Sequence, residues 1–393
     1  MNAKKAPFTY HFFAAAALIL LSYVLLYSLT EQSIFSHSVY DSYTRQAQVW
    51  WQGSADLPKN IPWLELAEYN GRIFVSFPPF PSVVQFLLYP LFGMQMPDNL
   101  INTLFGFGSF VLVYLVMARY GHSSLSCALT ALLLTLGSNL FYLSVTGWVW
   151  FSAQTQAFFF SVLAVYLIAS RSRAAWYFSF LSLGIAFACR PFQIVYTPLL
   201  VYLLHKNLGD THHIKGYLRC IKYTLPLFAA LAATAAYNHA RFDNLLEFGH
   251  HYLPEFAHAP QFSLRYVPGN FLEILKLPGI HAAGFWPEFN GTLFFLVNPA
   301  YVLIGVRLVQ GRFDQKKALY ALSLLLHFVL ILSHKTMGGW QFGSRYLVDM
   351  LPFAPVLFAD GPMSRASVQF TAVLAALGIA VNIWGAIWFY SSF

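Results

Sequence analysis

Asp41, Asp56, Glu65 and Glu68 fall within one polar stretch, residues 39–81, of a chain that is otherwise strongly apolar. A carboxylate held within hydrogen-bond reach of a hydroxyl can take its proton. Arg72, Arg190, His334, Lys335 and Arg345 are cations in the loops or at the ends of apolar runs. The guanidinium fork matches phosphate oxygens bidentately, so the arginines point to a phosphorylated ligand. Each residue also has a plain structural reading. Asp41 stands where an N-cap would precede an amphipathic helix. Glu65 and Glu68, three apart, read as solvated charges on a short helical stretch. Arg190 ends an apolar run before Pro191, where an unpaired charge is costly, and Asp349 is a candidate partner. Arg345 follows Gly338, Gly339 and Gly343, small residues that let a ligand approach, or it snorkels to an interface.

The elements that must position these groups are membrane elements. The chain has 393 residues, of which 58% are hydrophobic and only 10% charged. A soluble domain carries about a quarter charged residues, so a deficit spread over the whole length means a polytopic membrane protein. Eleven apolar runs are candidate spans, at about 11–30, 99–117, 124–143, 152–169, 174–190, 192–205, 223–240, 292–309, 318–333, 346–360 and 366–390. Several fall short of the ~20 residues that a span needs and must be extended or partly re-entrant. Lys4 and Lys5 precede the first run, which reads as a retained signal anchor with a cytoplasmic N-terminus. Alternation then puts 14 of the 23 Lys and Arg in cytoplasmic segments and leaves 12 of the 15 carboxylates outside. Residues 81–97 carry Pro81, Pro90, Gly93 and Pro97 and are expected to lie at the interface without crossing.

The whole chain, 1–393, reads as one integral unit. It has a first extracytoplasmic loop at 31–97, a second at 241–291 and a shorter one at 334–345. In the first, Tyr43, Ala47, Trp50 and Trp51 recur at helical spacing and make an amphipathic interfacial helix. The formal charge of +8 is scattered in short clusters, which excludes a nucleic-acid face. Cys127, Cys189 and Cys220 lie outside the polar loops and read as buried small hydrophobes without disulfides. His250, His251, Glu255 and His258 have metal-like spacing, but Pro254 interrupts the helix they would need, so loop or acceptor-contact roles are preferred. No phosphate-loop or dinucleotide motif occurs, which removes a cytoplasmic nucleotide-using mechanism.

Four stretches resemble the GT-C superfamily of membrane glycosyltransferases, which use polyprenyl-phosphate sugars. They are Asp41-Ser42-Tyr43 with Ala47 and Gly53; NGRIFVSFPPFPS; GIAFACRPF, with Arg190-Pro191; and YNHARFDNLLEFGHHY together with GGWQFGSRYLVDMLPF. They occur in family order between residues 41 and 353. The resemblance implies an all-α polytopic fold with about 11 transmembrane helices and interfacial helices in the first outer loop. It implies an enzyme that moves a sugar from a polyprenyl-phosphate donor to a lipid, glycan or protein acceptor, by inversion, at the outer face of a bacterial inner membrane. Asp41 would be the general base. Arg190 and Arg345, with Arg72, Lys335 and His334, would hold the donor phosphate. Tyr43, Glu65, Glu68, His250 and Trp340 would contact acceptor or sugar. Asp41 is single where many relatives carry a paired acid, so no metal or other cofactor is expected. Ser76 and Phe77 stand where many relatives have a lysine, so later arginines must meet the donor's charge. A transporter or lipid-linked-sugar flippase, and a non-catalytic assembly factor of envelope glycan synthesis, are the rival readings.

Overall fold

The computed structural model describes residues 8–209, 213–256, 258–281, 284–286, 292–339 and 341–391. Six of its helices are long and apolar enough to cross a membrane: α1 (Tyr10–Leu29), α4 (Asp98–Arg119), α7 (Val149–Ile168), most of α10 (His213–Phe242), α14 (Gln315–Leu332) and α15 (Arg365–Ser391). The protein is a multi-pass, all-α membrane protein. Between α1 and α4 lie α2 (Ser42–Trp51), the hairpin β1 (Leu66–Tyr69) and β2 (Arg72–Val75), and α3 (Phe80–Phe92). Shorter helices complete the bundle: α5 (Ser124–Leu134), α6 (Leu140–Leu143), α8 (Arg173–Cys189), α9 (Thr197–Leu208), α11 (Val267–Glu273), α12 (Phe294–Val297) and α13 (Ala300–Val309). A small hairpin, β3 (Gly279–His281) and β4 (Gly284–Trp286), lies in the second loop.

Several of the eleven candidate runs are interrupted. The run at 124–143 breaks after α5, and the run at 292–309 breaks at Pro299. The run at 346–360 is two 3-10 turns, Arg345–Met350 and Ala354–Phe358, because Pro352 and Pro355 supply no backbone N–H. Such breaks leave carbonyls without helical partners, and lipid cannot satisfy them. The break between α6 and α7 shows how the bundle does so. Asn102 Nδ2 donates to Leu143 O and Thr146 O, both at 2.7 Å. Thr103 Oγ1 donates to Ser144 O at 3.0 Å and Tyr27 Oη to Val145 O at 2.6 Å. Four consecutive carbonyls are thus met by side chains of α1 and α4. Gly147 follows them pressed against α4, where a methyl group would lie 2.2 Å from Asp98 Cβ. This clamped turn sets Trp148 and Trp150 at the start of α7.

The first loop is more ordered than a polar interruption suggests. Helix α2 forms as expected and buries Tyr43 and Ala47. The stretch carrying Glu65 and Glu68 is not helical. It leads into β1, which pairs antiparallel with β2 in the register Leu66↔Val75 and Tyr69↔Arg72. Asn70 and Gly71, with φ of +51° and +72°, make the left-handed two-residue turn that closes such a hairpin. Extended backbone alternates its side chains, so two residues three apart point to opposite faces. Glu65 turns inward, and Glu68 is exposed.

Candidate active site

A cavity of about 450 Å³ opens where the first loop meets the later loops. Its walls come from five places: Tyr40, Glu65 and Phe77 of the first loop; Trp148, Trp150 and Phe151 at the head of α7; Arg190 and Phe192 after α8; the 246–262 loop; and the 334–346 loop. The setting is aromatic, with a few polar groups pointing in, which is the usual build of a small-molecule site.

Arg345 is buried, at 4% exposure. Its Nε and Nη1 have no hydrogen-bond partner among the described residues. The guanidinium lies over the rings of Tyr346, at 5.1 Å, and Phe151, at 5.5 Å. Gly338, at φ +101°, lets the chain pass close, since a methyl group there would sit 3.0 Å from Arg345 Nε. A buried cation left without a counter-charge is costly unless a ligand completes it. Arg190 also faces the cavity, but its Nε donates to Asp349 Oδ2 at 2.8 Å. It lies 4.8 Å from the Tyr346 ring, so that ring is shared by both arginines.

Glu65 is the expected-site carboxylate that lines the cavity. Burial first, and the nearby Glu255 charge second, push its carboxyl above the ordinary range, while Trp150 and Arg345 pull it part of the way back. Glu247 and Glu255 also reach the wall. His250 and His334 line it as neutral rings. Burial, with nearby positive charge, lowers them to about 3 and about 4. His334 Nδ1 lies 2.6 Å from Thr336 O, and its Nε2 lies 3.2 Å from Gln261 Nε2.

The other expected residues lie elsewhere. Asp41 is buried at 3% exposure and is not on the cavity wall. It stands at the N-cap position of α2, yet its side chain does not cap. Its carboxylate takes Arg45 Nε at 2.7 Å and faces His37 Nε2 at 3.2 Å. Arg72 is paired with Asp56 at 2.8 Å on the exposed hairpin. Lys335 donates to the Glu255 carbonyl and lies over the Phe256 ring. Tyr43 is buried in α2 with its ring T-shaped to that of Phe77. Trp340 lies outside the described residues. Among the described residues, no group of three His, Cys, Asp or Glu is disposed to hold a metal ion.

The residue pattern carries no signal for His37. It sits between two carboxylates, with Nδ1 2.8 Å from Asp98 Oδ2 and Nε2 3.2 Å from Asp41. Those partners raise it to about 9 against burial. A folded-state value above the unfolded 6.5 gives stability that is complete below about pH 6.5 and is lost as pH rises through about 9. We expect the melting temperature in detergent to fall between pH 7 and pH 9.5, and H37Q to remove the part of that fall due to His37. An unchanged pH slope in H37Q would contradict the assignment.

No protein-family model matches the sequence, and no curated protein does. Solved structures do match. The crystal structure of ArnT from Cupriavidus metallidurans bound to undecaprenyl phosphate aligns with a TM-score of 0.52 at 14% identity, over 96% of this chain and 75% of that one. The oligosaccharyltransferase of Archaeoglobus fulgidus in its apo form aligns at 0.50 and 12% identity, over 97% of this chain and 56% of that one. Archaeal oligosaccharyltransferase AglB from Archaeoglobus fulgidus, in complex with an inhibitory peptide and a dolichol-phosphate, aligns at 0.50 and 11% identity, over 96% of this chain and 56% of that one. The chain shares the fold of these structures. At these identities the likeness speaks for the scaffold, and the chemistry must be argued from this chain's own residues. Within this fold, the cavity lies between the first loop and the later loops, and both of its arginines come from the later part of the chain.

Proposed function

We infer that the protein is a glycosyltransferase that moves a sugar from a polyprenyl-phosphate carrier to a hydroxyl acceptor. The observation that carries this reading is the buried Arg345 guanidinium, whose Nε and Nη1 have no partner among the described residues, in the same cavity as Glu65. That pairing suits a reaction whose leaving group is a phosphate and whose nucleophile must lose a proton.

In this reaction, Glu65 takes the acceptor's hydroxyl proton as the oxygen attacks the anomeric carbon. The bond from that carbon to the phosphate oxygen breaks, and the polyprenyl phosphate leaves with the electron pair. One displacement inverts the anomeric centre. Arg345 and Arg190 receive the growing negative charge on the phosphate. Glu65 takes the base role that the sequence pattern assigned to Asp41, because a base must touch the hydroxyl and Asp41 is held by Arg45 and His37 off the wall. Asp41 instead supports the orientation of α2. The neighbours' polyprenyl and dolichol phosphates, and the aromatic walls, support a lipid-linked donor. The Lys and Arg bias supports an outward-facing site, and the resemblance of the loop stretches to bacterial members supports a bacterial inner membrane.

The test is mass spectrometry of envelope glycolipids and glycoproteins from cells with the protein, without it, and with E65Q in its place. A glycan lost in both altered strains is expected. Identical glycan profiles in all three would overturn the reading.

A further inference from the structure

Asp349 is buried at 1% exposure beneath the cavity, and the catalytic scheme above does not use it. Its Oδ2 accepts from Arg190 Nε at 2.8 Å, and its Oδ1 accepts from Gln154 Nε2 at 3.1 Å. The same Gln154 nitrogen donates to the Arg345 carbonyl at 3.1 Å. Gln193 Nε2 donates to the Asp349 carbonyl at 2.8 Å, and Ser161 Oγ donates to Gln193 Oε1 at 3.1 Å. One carboxylate and one amide thus tie together the backbone and side chains that present both arginines.

The charge pattern is uneven. Arg190 has a counter-charge in contact, and Arg345 has none in contact among the described residues. Glu65, Glu247 and Glu255 line the cavity, but among the described residues none is hydrogen-bonded to either guanidinium. Two free arginines would suit a dianion. An arginine pair with one charge already compensated suits a monoanion.

We propose that Asp349 is a charge-setting and positioning residue that matches the site to the single charge of the donor phosphodiester and so lets the product monoester leave. This rests on the donor reading given above. A phosphodiester carries one negative charge. The released polyprenyl phosphate carries between about 1.5 and 2 at pH 7, because its second pKa is near 6. Without Asp349 the site would hold the product more tightly than the substrate, and release would become the slow step. With Asp349 the extra product charge gains less, while the Arg190 fork stays aimed by its Nε bond.

The experiment measures binding of undecaprenyl phosphate, and of its methyl diester, to the full-length protein in nanodiscs. The wild-type protein is expected to bind the diester at least as tightly as the monoester. D349N keeps the side-chain shape and removes the charge. It is expected to bind the monoester about tenfold more tightly, a modest effect for one unit charge a few ångströms away at the effective dielectric of a protein site. Its turnover should fall with no rise in the donor KM, and D349E should restore wild-type behaviour. If D349N folds, judged by its melting temperature, and binds the monoester equally or less well, Asp349 is only a strut and the proposal fails. If D349N does not fold, the wild-type comparison decides, and a tenfold wild-type preference for the monoester overturns the proposal. If neither lipid binds the wild-type protein, the donor reading itself fails.

Discussion

Replacing Arg345 by methionine is expected to lower turnover on the order of 10²–10³-fold, the range seen when one preorganised donor to developing charge is removed. Methionine has a similar length and fills the place over Phe151 and Tyr346. The same variant should be no less stable than the wild type, and its melting temperature should rise. Arg345 is buried with two nitrogens lacking partners among the described residues, so in the absence of ligand it is expected to be a net cost to folding. R345K should recover part of the activity, since it restores the charge but not the planar fork. The signature is thus an activity loss paired with a stability gain. An R345M protein with wild-type turnover would remove the leaving-group role. One with lost activity and a lower melting temperature would recast the guanidinium as a packing element.

The second large effect is at Glu65. E65Q is expected to lose on the order of 10²–10⁴-fold in kcat, the usual contribution of general base catalysis, with donor affinity nearly unchanged. The pH dependence has a definite sign. The base works when deprotonated, and burial with Glu255 nearby holds the Glu65 carboxyl above the ordinary range. Wild-type kcat should therefore climb with pH through that raised value, and E65Q should lose this acidic limb. D41N is the informative companion. With Asp41 engaged by Arg45 and His37, D41N should lower the melting temperature more than it lowers kcat. If D41N instead abolishes chemistry at normal stability while E65Q keeps a tenth or more of the wild-type rate, the base is Asp41.

Much of this architecture was legible in the residues. The composition and the apolar runs indicated the membrane class, because so few charges over the full length leave too little polar surface to face water. Arg190 and Arg345 stood out for a physical reason: a cation inside or beside an apolar run must find either a partner or a ligand. Arg190 has Asp349, and Arg345 keeps two nitrogens without a partner among the described residues. The choice among the four first-loop carboxylates was not legible. Asp41 and Glu65 look equally polar in sequence. Which one meets the cavity depends on the hairpin's alternation and on contacts with residues 150–350. His37 was invisible because one of its two partners, Asp98 at the start of α4, lies about sixty positions away. Trp148 and Trp150 were hidden by their neighbours, since an aromatic at the edge of an apolar run looks like an interfacial anchor. The broken spans were missed where hydropathy cannot register a carbonyl: the residues at 143–146 are apolar or small, and only Asn102, Thr103 and Tyr27, far off in sequence, reveal that the backbone there is not helical.

The Asn70–Gly71 turn of the first-loop hairpin has a practical use. Both residues are exposed, and neither lines the cavity. The hairpin is anchored at its other end by the inward Glu65, and Ser76 Oγ donates to the Glu65 carbonyl at 2.6 Å. A short tagged insertion between the two turn residues would therefore sit at the far end of the element that carries Glu65. Labelling that tag in intact cells with a reagent that cannot cross lipid would read out, from a position in direct register with the cavity wall, which compartment the cavity faces.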